Sequence, residues 1–514
     1  MTKAVTQDPT CAMCFWGLSY SFGPFLNHPV MVDQDQLDTT YHAIRTAATL
    51  AVTNVEKDLI RATAFRYPDT DLKRNQTLAY LAYSNELSVL YTKYPQDPNI
   101  AVLYAESLMN LEANNYFLHE TMGPDASTSV VPSGLRPYSK KANQVLTTML
   151  SSPNRKFSRH PFALHLYIHL TEAGIPGLKD GAMVGEHAAD ILQRLNYTGS
   201  GHLEHMPGHL YLRVGRYSAA ARANVLARVA DEYYDMHALV PYGPCHNQYF
   251  GVYAACVAGM RSYAIEGSQH MRNVYAVNVT RGDAPGLEQG WNAMLTTYVR
   301  FGLWNQILND TEVAPVNTAL YSQVLRHYSR GFALLHVSGV SGVSGVSVVP
   351  VEIELAALQK IQRFIIQRAA NDASGFNGMA VRLSSIANDT LSAAVLLSRG
   401  DVQRAIAVLS RAANTQDSAK YDEPPDWHYS TDACVGKVLL DHGLPEQAEL
   451  AFQKDLKAYP KNGWGLTGLL QTMIVLNKPA NEIEAIRKML SKAWKDADIP
   501  IPSSSCLAFE NIHV

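Results

Sequence analysis

An all-α solenoid of stacked helical hairpins with irregular loops is the fold this chain predicts, on two observations. The first is a recurring order of small, aromatic and glycine residues along its 514 positions. Counting from residue 201, Gly208, Tyr211, Gly215, Tyr217, Ala220 and Ala227 fall at positions 8, 11, 15, 17, 20 and 27 of a 34-residue frame. From residue 429, Gly436, Leu439, Gly443, Ala448, Phe452 and Pro460 occupy positions 8, 11, 15, 20, 24 and 32. The window from residue 288 carries Trp291, Tyr298, Gly302 and Trp304, and weaker copies hold Gly400, Ala405 and Ala412, and Gly259 with Ala264. The second observation is composition: 47% hydrophobic and 17% charged, with 27 Tyr, is a chain that buries a large core.

The frame is that of the tetratricopeptide repeat (TPR), and each position has a physical reason. Small residues at 8 and 20 let two helices cross closely, and aromatics fill the wedge beside them. Glycine near 15 supplies the left-handed backbone of the turn between helices A and B. Proline at 32 ends helix B. A single hairpin cannot bury its apolar face, so neighbours stack into one core.

These repeats predict one continuous array over residues 1–514. Long loops interrupt it: Gly400 and Gly443 are 43 residues apart, and the surplus holds the turn-forming stretch 421–427. Segments 66–77 and 119–137 are further loop candidates. Residues 337–349 repeat Val-Ser-Gly without helical period, a flexible insert. Ala4 and Pro9 fit positions 27 and 32, so the chain reads as starting inside a repeat, as a truncated N-terminus would.

A net charge of −3, with no basic cluster interleaved with aromatics, argues against nucleic acid as a partner. No apolar run reaches the length of a membrane helix, and no signal peptide opens the chain, so the expectation is a cytoplasmic protein without membrane attachment. Six Cys read most simply as reduced thiols, with Cys11 and Cys14 as small core residues of a helix.

Nine of the 18 His lie between residues 160 and 246, several times their even share. His165 and His169 share one helix face, and His202, His205 and His209 form an i, i+3, i+7 stripe. In the repeat frame these three occupy positions 2, 5 and 9, which line the ligand groove of TPR proteins. Placing Gly259 at 15 puts His246, Tyr249 and Tyr253 at the same three positions of the next repeat. Such imidazoles suit Zn, Cu, Ni or Fe, and Glu106, alone in an apolar helix, is a candidate carboxylate ligand. Imidazoles in grooves also hydrogen-bond without binding anything, and Pro207 argues against a helix that carries the whole stripe.

These segments resemble a family of long, mostly bacterial, TPR-repeat proteins. The resemblance rests on Asp-Pro-Thr-Cys-Ala-Met-Cys-Phe-Trp-Gly at 8–17, His-Leu-Tyr-Ile-His at 165–169, the His-rich run 201–217, His246-Asn247, and 421–427. It implies the fold and a continuous array, and no particular reaction.

Two functions follow as expectations. One is an interaction scaffold that takes a peptide, protein or small molecule in its concave groove, with Tyr249, Tyr253, Arg213 and Asn247 as contacts. The other is a metal-binding protein or metal-dependent enzyme, with His202, His205, His209 and His246 as ligands of a divalent transition metal, and His165, His169 and Glu106 in support.

Overall fold

A computed structural model describes the chain except residues 122–129, 175–178, 238–241, 278–284, 315–317, 338–348, 371–377, 420–421, 511 and 513–514. The Val-Ser-Gly insert therefore falls almost wholly outside the described residues. Those residues form 24 α-helices and one two-stranded sheet, the all-α repeat architecture that the small-residue frame predicts.

Two compact units divide at Leu195 and Asn196. The first contains α1 (Thr2–Gln7), α2 (Ala12–Ser21), α3 (Gln34–Leu50), α4 (Asn54–Ala64), α5 (Gln76–Lys93), α6 (Pro98–Asn110), α7 (Pro137–Leu150), α8 (Arg155–Ser158), α9 (Pro161–Glu172) and α10 (Ala182–Leu195). The 66–75 stretch is a turn region, as its Asp and Pro content predicts. The expectation of a loop over 119–137 is corrected. β1 (Phe117–Thr121) and β2 (Val130–Leu135) pair antiparallel there, with Phe117 opposite Leu135.

The second unit holds α11 (Gly201–Arg213), α12 (Tyr217–Met236), α13 (Pro244–Val257), α14 (Arg261–Tyr275), α15 (Pro285–Arg300), α16 (Trp304–Asn309), α17 (Leu320–Val337), α18 (Val349–Ala369), α19 (Gly378–Ser398), α20 (Val402–Asp417), α21 (Thr431–Asp441), α22 (Pro445–Ala458), α23 (Gly463–Val475) and α24 (Ala480–Ala493). Gly215, Gly259, Gly302, Gly400 and Gly443, the five glycines at position 15, all have φ between 64° and 79° and all sit between the two helices of a hairpin.

Gly215 does more than turn. A Cβ there would lie 2.1 Å from the Pro460 carbonyl oxygen, because the loop between α22 and α23 packs on this turn. At Gly443 a Cβ would meet nothing within 4 Å. Gly443→Ala should therefore cost only the left-handed strain, about 1–2 kcal/mol, whereas Gly215→Ala adds a backbone clash and should cost about 2–4 kcal/mol. Urea denaturation of the two variants checks the ordering, and equal losses would contradict it.

Helix α11 corrects the objection that Pro207 raises. It runs unbroken through Pro207, with Ser200 accepting from the Leu203 N–H at its N-cap. An interior proline costs about 3 kcal/mol. Met206, Leu210, Tyr211 and Leu212, at 0–5% exposure, each return about 1.5–3 kcal/mol by burial, so packing wins.

The reduced-thiol reading is also corrected. Cys434 pairs with Cys506 across 72 residues, pinning the C-terminal segment whose Phe509 and Ile512 enter the core of the second unit. Cys11 pairs with Cys14, and both are half-buried instead of packed in a core. Cys245 and Cys256 remain thiols. No helix among the described residues is long and apolar enough to cross a membrane.

Candidate metal centre

Two helices of the second unit bring three imidazoles to one point. His205 and His209, one turn apart on α11, face His246 in the first turn of α13. Their Nε2 atoms converge: His205 to His209 is 2.7 Å and His205 to His246 is 3.2 Å. The Phe250 ring, 4.9–6.1 Å from all three imidazoles, makes an apolar wall beside them.

The outward-facing nitrogens are held by two residues that do not belong to the histidine stripe. His205 Nδ1 lies 2.7 Å from Asn224 Oδ1, and the Asn224 amide is oriented by its own Nδ2 donating to the Ala220 carbonyl at 2.9 Å. Oδ1 is thereby the acceptor, so His205 carries its proton on Nδ1. Asn224 fits because two glycines make room for it: a Cβ on Gly208 would be 3.0 Å from its Nδ2, and one on Gly251 would be 2.8 Å from its Cβ. His209 Nδ1 lies 3.0 Å from Glu423 Oε2, a carboxylate acceptor, so His209 also keeps its proton on Nδ1. The Arg213 Nε stands 3.6 Å from the other Glu423 oxygen and supplies the counter-charge.

Electrostatics follow from those tautomers. Both Nε2 atoms present lone pairs to each other across 2.7 Å. A proton shared between them would bury a cation at a residue with 0% exposure. Burial, then the neighbouring His209, His246 and His202, hold the His205 imidazole well below the ordinary histidine range, against the weaker pull of Asn224. A cation bound between them would remove the conflict. An ion with nitrogens at about 2.0–2.1 Å in tetrahedral geometry spaces them about 3.3 Å apart, a small opening from the observed distances.

The other expected ligands are placed differently. His202 is half-buried, its ring 6.1 Å from that of His205 and edge-on to Tyr242 at 4.9 Å. In the first unit, His165 and His169 lie on α9 with rings 4.7 Å apart, and His169 Nδ1 is 3.2 Å from Glu172 Oε1. Glu106, also in the first unit, accepts from the Tyr20 hydroxyl, and burial raises its carboxyl pKa although Arg66 opposes it. Among the described residues it joins no group of three side chains with metal-ligand spacing.

Tyr249, Tyr253 and Asn247 are buried, at 8%, 4% and 1% exposure, instead of lining an open groove. The reason is that α13 is an inner helix, buried along residues 247–257. Asn247 donates to Asp231 at 3.0 Å. Tyr249 lines a cavity of ≈ 20 Å³ with Asn292, Tyr321, Asp426 and His428, space for about one water. Burial, then Arg300, pushes the His428 imidazole down to about 3, so it stays neutral at the edge of that cavity.

The 421–427 stretch, expected as a loop that interrupts the stack, is the source of Glu423. It is also packed inward: Glu423, Trp427, His428 and Tyr429 are 1–7% exposed, and Trp427 meets the Tyr328 ring edge-on at 5.4 Å.

No protein-family model matches the chain, and no curated protein matches it. A solved chain from the structure titled "Structure of Naa15/Naa10 bound to HypK-THB" aligns at 13% identity over 96% of this chain and 76% of that chain, with a TM-score of 0.21. At that score the likeness carries no argument, and the fold rests on the helices and turns themselves.

Proposed function

We propose that this chain is a helical-repeat scaffold built around a three-histidine centre for one divalent transition metal. His205, His209 and His246 bind through Nε2, and Asn224 and Glu423 orient the first two rings. The observation that carries this reading is the pair of Nε2 lone pairs 2.7 Å apart whose Nδ1 protons are both already committed.

Three imidazoles leave a coordination position for water or a substrate atom, the donor set of a catalytic rather than a closed structural zinc site. Bound there, such an ion supplies Lewis acidity toward a water or substrate oxygen, which favours hydrolytic chemistry. The chain's own residues position it. Glu423 draws charge toward His209 Nδ1, and Phe250 keeps one side of the site dry. Zn, Cu, Ni and Fe all suit imidazole donors. A peptide-binding groove has less support on this face, because Glu423 of the same chain already lies there, 3.0 Å from His209 and 3.6 Å from Arg213.

Elemental analysis of the purified chain tests the proposal. The expected result is one transition-metal ion per chain, lost on His205→Ala or His246→Ala and retained on His442→Ala. Cobalt substitution should give the visible absorption of a tetrahedral nitrogen site. Metal below a tenth of an equivalent after loading with zinc or cobalt would overturn it.

A further inference from the structure

The Cys-Ala-Met-Cys motif takes no part in the metal centre, and the structure gives it a chemistry of its own. Cys11 is the N-cap of α2 and Cys14 lies one turn inside it, with Cα atoms 5.2 Å apart and the two sulfurs bonded. That separation is what i, i+3 residues of a helix have whether or not their sulfurs are joined. The dithiol and the disulfide therefore fit the same backbone, and the bond can open and close without refolding.

Three further observations separate this pair from a structural staple. Closing so short a loop removes little entropy from the unfolded chain, whereas Cys434–Cys506 closes a loop of 72-residue separation. Cys11 and Cys14 are half-buried, while Cys434 and Cys506 are 1% and 2% exposed. The Cys11 sulfur accepts from the Cys14 backbone N–H at 3.1 Å, at the positive end of the α2 dipole, where a thiolate is stabilised.

We propose that Cys11 and Cys14 are a thiol–disulfide exchange pair acting on external thiols, with Cys11 as the exchanging sulfur. In the reducing direction an external thiolate attacks Cys11 Sγ, the Cys11–Cys14 bond breaks, and its electron pair leaves on Cys14 Sγ, which takes a proton. A second external thiolate attacks the external sulfur of the mixed disulfide, forming an external disulfide and releasing Cys11 as the thiolate held by the Cys14 N–H. Two electrons enter the protein and one disulfide leaves. The reverse sequence oxidises an external dithiol.

The test uses the full-length protein in graded mixtures of reduced and oxidised glutathione, quenched with acid, alkylated differentially and read by peptide mass spectrometry. Cys11 and Cys14 should interconvert across these mixtures with circular dichroism unchanged, while Cys434–Cys506 stays oxidised. Cys14→Ser should trap one glutathione on Cys11. The proposal is overturned if the two disulfides reduce together, if reduction needs a denaturant, or if Cys14→Ser captures no glutathione. A Cys11→Ser, Cys14→Ser chain with a melting temperature well below that of the parent would also overturn it, because the pair would then be a staple. None of these outcomes depends on the metal centre.

Discussion

A His209→Ala chain should lose its metal, and Glu423→Gln should keep the metal but hold it about 10–100-fold more weakly. The two effects differ because the residues act differently. His209 offers a lone pair that alanine lacks. Glu423 offers an acceptor to His209 Nδ1 at 3.0 Å, and glutamine keeps an oxygen there while removing the charge that makes the imidazole a better donor. A 10–100-fold loss is about 1.4–2.7 kcal/mol. Ligand linkage turns that into stability: free metal at 1,000 times its dissociation constant stabilises the folded chain by about 4 kcal/mol. Adding a chelator should therefore lower the melting temperature of the parent most, that of Glu423→Gln less, and that of His209→Ala not at all. Competition titration against a chromophoric chelator measures the affinities. Parent-like affinity in Glu423→Gln would show that the 3.0 Å contact does not tune the site.

The centre was only half legible in the sequence, for reasons that lie in particular residues. His205, His209 and His246 follow from helical spacing combined with the repeat frame, since both depend on local geometry. Asn224 left a signal too: it stands at position 24 of its window, where the frame calls for an apolar side chain, and a buried amide there must have a partner. Glu423 left none, being 214 residues from His209 in a stretch whose Pro and Asp read as a turn. The Cys434–Cys506 bond is hidden in the same way, because only the fold brings α21 to the C-terminal segment. The five hairpin turns were readable because each is encoded within a few residues by a glycine. At 130–135, Val130-Val131 is a strand signal that Pro132 and Gly134 mask.

Asp455→Asn should raise stability relative to the parent by about 4 kcal/mol as pH goes from 4 to 7, and by no more above pH 7. Asp455 on α22 has 0% exposure and receives Asn462 Nδ2 at 3.1 Å. Burial, despite the Ser430 hydrogen bond and with a further push from Asp432, raises its carboxyl to about 7; Arg300 and Asn462 pull the other way. The unfolded chain ionises this group near 3.9. Below pH 4 both states are protonated and nothing is lost. Between about 4 and 7 the unfolded state gives up a proton that the folded state keeps, so each pH unit costs the parent about 1.4 kcal/mol. Above 7 both states are ionised and the penalty stays constant. Asparagine cannot ionise, so the variant lacks this slope, while Asp432 is present in both chains. The carboxyl is tolerated because Arg300, stacked 3.9 Å over the Trp464 ring, remains a buried cation nearby. Urea denaturation of parent and variant at pH 4, 5, 6, 7 and 8 gives the difference curve. A difference that does not change with pH would mean that Asp455 is ionised in the folded chain throughout.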